Sequence, residues 1–202
     1  MTGTRKSLAK IVRVALISTV LVASSVNANN YREKGKAVLV AKSQLEVTPP
    51  QDWNRLSIKV GKNAETWTLD GEQLNDITFY GGIAPSQPLV KERNKKRDPL
   101  PKVAKGMLLI DIPDLLEGTY RAHKQISVFK VTSTEPTKFL ESDGVNFAYE
   151  YVDGDNLTRL GEARATLING KLYMATFDAP RLHYFAQGLD AYRALIATAK
   201  LQ

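Results

Sequence analysis

Five cations stand within seven residues, Lys91-Glu-Arg-Asn-Lys-Lys-Arg97, with Glu92 and Asp98 as the acids beside them. Such a run could hold phosphates or carboxylates, since each cation near an anionic surface contributes about 1 kcal/mol. Lys91, Arg93, Lys95, Lys96 and Arg97 are therefore the candidate residues for an anionic ligand or an acidic partner. The plainer account, a solvated loop whose charge keeps it soluble, is the preferred of the two. No aromatic residue interleaves the cations, which argues against single-stranded nucleic acid.

The other reactive side chains form no complete catalytic set. The chain has no Cys and two His. That excludes a disulfide framework, a thiolate metal site and a Cys nucleophile, and leaves too few soft ligands for zinc. His123 and His183 could each act as a general base. Neither has a nucleophile motif nearby, and Gly-x-Ser-x-Gly is absent. A helix-terminal position accounts for His123, and packing beside Tyr184 and Phe185 accounts for His183. Asp153-Gly-Asp-Asn156 offers oxygens to calcium but lacks the further alternating ligands and the terminal Glu, so it reads as a turn. Asp111, Asp114 and Glu117 are acids expected near a helix start. No metal and no cofactor is expected.

The N-terminus carries Arg5, Lys6, Lys10 and Arg13 and no acid, followed by the apolar run 14–23 and a small-x-small ending, Val26-Asn27-Ala28. This is the pattern of a secretory signal peptide. Ten apolar residues fall short of the roughly 20 that span a bilayer, so residues 1–28 are expected to be cleaved, leaving a single domain over 29–202 with no transmembrane helix. Removing the leader lowers the formal net charge from +7 to about +3, which weakens a nucleic-acid reading of the basic composition. An exported chain without Cys is expected in a bacterial envelope, periplasmic or secreted.

The elements that must position these residues are mostly strands. Ala37–Ala41, Ser43–Val47, Leu56–Val60, Thr66–Leu69 and Ile77–Ile83 read as strands of an antiparallel meander, with Asp70-Gly71 as a turn. Trp53, Trp67, Phe79 and Tyr80 are read as core; exposed tryptophans would instead mark a groove. Gly81-Gly82 marks a bulge or a close backbone approach. Pro85, Pro88, Pro99 and Pro101 bracket an exposed basic loop over 84–102. After it, helical spacing begins at Val103 and resumes at Pro113, as two short helices or one broken one. Ile126–Val131 reads as a strand that Pro136 interrupts, and Asn146–Val152 as another. Arg164–Ile168 and Lys171–Phe177 flank Asn169-Gly170, a strong hairpin signal. From Pro180 the pattern turns helical, with Gly188 expected to break it. The fold class is α+β: a mostly antiparallel sheet flanked by a central helical segment and a C-terminal helix.

Asn169-Gly-Lys-Leu-Tyr173, Phe177-Asp-Ala-Pro180 and His183-Tyr-Phe185, set within this order of elements, resemble the PsbP/Mog-like fold group, which includes DcrB-like envelope proteins. Trp53-Asn54, Trp67-Thr-Leu-Asp-Gly71 and Asp98-Pro-Leu-Pro101 resemble exported proteins of proteobacteria. The resemblance implies a docking or accessory protein and brings no active site with it. The expected function is a periplasmic, non-catalytic accessory or binding protein that docks an envelope protein or an anionic lipid or polysaccharide. Two alternatives stay open: a hydrolase whose Asp, Glu, His or Ser meet only in the fold, and a purely structural envelope protein.

Overall fold

The computed structural model describes residues 30–202. The expected leader, residues 1–28, lies outside the described residues.

Two antiparallel meanders meet edge to edge. The first comprises β1 (Tyr31–Arg32), β4 (Trp53–Arg55), β5 (Ala64–Thr68) and β6 (Asp76–Ile83); the second comprises β7 (Phe129–Phe139), β8 (Ser142–Val152), β9 (Thr158–Ile168) and β10 (Lys171–Pro180). Pairing of β6 with β10 joins them into one eight-stranded sheet, β1-β4-β5-β6-β10-β9-β8-β7. A small second sheet, β11-β3-β2, ties the C-terminus (β11, Lys200–Leu201) to β3 (Leu45–Val47) and β2 (Val38–Leu39).

Strand alternation gives the large sheet two apolar faces. One carries Trp67, Ile77, Phe79, Ala175 and Phe177 and is covered by α2 (Tyr184–Ile196) through Tyr192, Leu195 and Ile196. The other carries Tyr80, Phe147, Tyr149, Tyr151 and Met174 and is covered by α1 (Ile112–Lys124) through Leu115, Leu116 and Tyr120. Both tryptophans are buried, as the sequence suggests. Among the described residues, no helix is long and apolar enough to cross a membrane.

The fold class stands, and several local expectations do not. Pro136 lies within β7 rather than ending it. This strand is at the sheet edge and needs ladder partners on one side only, where Pro is tolerated. Val103–Leu108 form no helix; a single 3₁₀ turn over Leu109–Asp111 leads into α1, with Pro113 in its first turn. Leu56–Val60 alternate like a strand yet join no strand ladder. Gly188 does not break α2: a Cβ there would lie 2.6 Å from the Phe177 ring, so the glycine permits close helix–sheet packing. The loop over 84–102 is pinned as well as exposed, because Leu89, Val90 and Leu100 are buried in the core beneath it and Pro88 bridges to Lys102.

Candidate functional site

The basic loop walls a concavity. Lys91, Lys95 and Lys102 from the loop and Lys59 and Lys62 from the β4–β5 connection line a groove of about 690 Å³. Among the described residues, Glu92 is the one acid on its wall. Its Oε2 lies 3.9 Å from Lys95 Nζ and its Oε1 accepts the Leu100 N–H at 3.2 Å, so Glu92 fastens the loop. Arg93 lies elsewhere, on a groove with His123 and Arg159, while Lys96 and Arg97 line neither groove and are exposed. Of the five candidates, therefore, the fold gathers Lys91 and Lys95 and adds three lysines from outside the run.

The Gly81-Gly82 step borders the same groove. The β6–β10 register shifts between Tyr173, opposite Gly81, and Leu172, opposite Ile83, which leaves Gly82 as the extra residue of a bulge at φ +70°. The bulge turns the end of β6 towards the loop, and Gly82 and Ile83 become part of the groove wall.

A second constellation lies under α1 and has no counterpart in the sequence reading. Asp178, on β10, is buried and accepts the hydroxyl protons of Tyr120 at 2.6 Å (to Oδ2) and Tyr149 at 3.0 Å (to Oδ1). Directly opposite on β6 is Asp76. Facing carboxylates repel across a strand pair. Burial first, and then the Asp178 charge, push the Asp76 carboxyl up to about 6. Lys124 as a residue is exposed, but its ammonium stands 4.1 Å from the centre of the Tyr120 ring and 4.9 Å from that of Tyr151, and donates to the Tyr151 hydroxyl at 3.0 Å. Enclosure of that end pulls its pKa below the ordinary lysine value, with Asp178 opposing. Arg159 is buried; it donates to the Gln73 carbonyl and lies 3.5 Å from Asp153 Oδ2.

Tyr149 reaches Asp178 because Gly161 lies between them in the same cross-strand row. A Cβ at Gly161 would collide with Tyr149 ring atoms. A glycine that reads as a strand weakness is thus the gap across which the phenol lies.

The remaining candidates sit at turns and helix ends. His123 is half-buried at the rim of the Asp76 cluster, its pKa lowered by burial and then by Arg93 and Lys124. Among the described residues neither His side chain makes a hydrogen bond; His183 packs edge-on against Tyr184 at 5.1 Å. Asp153 Oδ1 accepts the N–H groups of Asp155 and Leu157, which closes a turn. Asp111 accepts the Leu108 N–H at the start of α1. Among the described residues no group of three or more metal-ligating side chains converges.

No family model matches the chain, and no curated protein matches its sequence. The similarity found is one of fold. Cyanobacterial PsbP (CyanoP) from Synechocystis sp. PCC 6803 superposes with a TM-score of 0.57 at 13% identity, covering 88% of this chain and 96% of that one. The Ran-binding protein Mog1p of Saccharomyces cerevisiae reaches a TM-score of 0.48 at 9% identity, covering 84% and 96%. The two joined meanders with a helix on each face are thus a PsbP/Mog-like fold.

Proposed function

We propose that the protein is an exported, non-catalytic accessory protein that holds an anionic ligand in the lysine-lined groove. One observation carries the reading: five lysines from two separate segments line a single concavity of about 690 Å³ with one acid among them. The volume lies within the range of about 300–1,000 Å³ common to ligand pockets. Lysines act as strongly hydrated point charges without the planar fork of arginine, which suits a multiply charged, loosely oriented anion such as an anionic lipid headgroup or polysaccharide. Export is supported by the basic start, the short apolar run and Val26-Asn27-Ala28.

The ligand reading is tested by flotation with vesicles of neutral phosphatidylcholine, with and without anionic phosphatidylglycerol. Binding is expected only to the anionic vesicles and is expected to weaken with salt. Replacing Lys91, Lys95 and Lys102 together by Gln removes three charges at about 1 kcal/mol each, a loss on the order of 100-fold. The same replacement at Lys96 and Arg97 is expected to do much less. Equal losses from both sets, or none from the first, would sink the groove as the site.

A further inference from the structure

The buried face under α1 is interrupted by polar side chains at the centre of the sheet. Thr68, Asp76 and Asp178 share one cross-strand row, and Thr66, Thr78 and Thr176 share the next. Five of these six are buried, and Asp76 is half-buried. The opposite face places Trp67, Ile77 and Phe177 in the intervening row, which is what a surface built only for packing carries. Burying unneeded polar groups costs free energy, so a central row of them calls for a role.

Over these rows lies a cavity of about 110 Å³ whose floor includes Thr66, Thr78, Asp76 and Asp178. Another wall is apolar and comes from Leu56, Ile58 and Val60, in the segment that stays outside the sheet. The floor is rich in acceptors. A carboxylate offers about four lone-pair sites, and Asp178 uses two of its own on the tyrosines. Asp76 accepts only the Gln73 N–H and joins no ion pair among the described residues. The Lys124 ammonium also lines this cavity, attracted by Asp178 and Asp76, and donates to the Tyr151 hydroxyl. At about 30 Å³ per water, the space fits roughly four heavy atoms.

We propose that this cavity binds the primary ammonium group of a short alkylamine, with the ammonium against Asp76 and Asp178 and the alkyl chain along Leu56, Ile58 and Val60. The proposal is independent of the lysine groove, which repels a cation. Binding requires Asp76 ionised, so affinity rises with pH through about 6. The other titratable or charged groups sharing the two cavities with Asp76 are Tyr80 on β6, Asp178 on β10, Tyr120, His123 and Lys124 on α1, Tyr151 on β8, Arg159 on β9, Asp153 and Asp155 in the turn before it, Glu72, and Arg93 on the basic loop. Arg159 keeps its charge across this range and therefore bears on the level of affinity rather than its slope.

The probe is n-propylamine, titrated into the full chain at pH 7.5 and pH 5 and followed by carboxyl carbon NMR, with n-propanol as the uncharged control. Saturable shifts at Asp76 and Asp178 are expected with the amine and not with the alcohol, with Kd at least tenfold weaker at pH 5. Asp76→Asn is expected to weaken binding at least tenfold. A second readout needs no variant: the Asp76 titration midpoint should fall when the amine is saturating. An unchanged midpoint, equal binding by the alcohol, or a Kd indifferent to Asp76→Asn overturns the proposal.

Discussion

Asp178 accepts hydrogen bonds from two phenol hydroxyls at a buried position, and the Tyr120 bond at 2.6 Å is the shorter. Hydrogen bonds to a charged acceptor contribute about 1.5–3 kcal/mol, so Tyr120→Phe, which keeps the ring and removes the hydroxyl, is expected to lower stability by about that amount. The measurement is a urea midpoint at unchanged m-value. Asp76 acts in the opposite sense at neutral pH. Its folded pKa of about 6 exceeds the ordinary 3.8, so its protonated form favours folding; that contribution is complete below about 3.8 and is lost as pH rises through about 6. The gap corresponds to on the order of 2–3 kcal/mol. Asp76→Asn is therefore expected to flatten the fall in stability between pH 4 and pH 7. An identical slope in wild type and variant would show that Asp76 is not the group responsible.

At the scale of the element, glycine decides where helix and ring can go. Gly188→Ala would gain up to about 1 kcal/mol in helix propensity but would force a methyl against the Phe177 ring, and overpacking of this kind costs about 1–3 kcal/mol. A lower Tm is expected; a Tm at or above that of the parent would show that α2 can move off the ring at little cost. Such contacts explain what the sequence could and could not show. Asn169-Gly170 was legible because a two-residue hairpin needs positive φ twice, and φ is +51° and +72° there. The β7–β8 hairpin has the same backbone at Leu140 and Glu141, at φ +52° and +61°, with residues that carry no turn signal. The tryptophan core was legible from burial preference alone. The carboxylate row was not: Asp178 meets Tyr149 and Tyr120 across 29 and 58 positions of chain and Asp76 from further away still, and no local spacing encodes a cross-strand neighbour. Pro136 misled for a related reason, since its tolerance depends on β7 being an edge, a property of the whole sheet.

For the whole molecule, the export proposal is tested by intact mass: protein recovered from the periplasmic fraction of an expressing bacterium is expected to begin at Asn29. Recovery of chain still starting at Met1 would count against it. The join between the meanders has a further consequence for the order in which structure can form. β6 ends at Ile83; it pairs with β5 before it, while its other partner β10 begins only at Lys171. A chain stopping at Gly170 is expected to show no slowly exchanging amides in β6, and native-like protection in such a chain would refute this. Both large faces also wait on late residues, because one needs Met174 and Asp178 and the other needs Phe177 and α2. A chain lacking β10 onward therefore leaves β6 without one of its two ladder partners and each apolar face of the sheet without part of its cover.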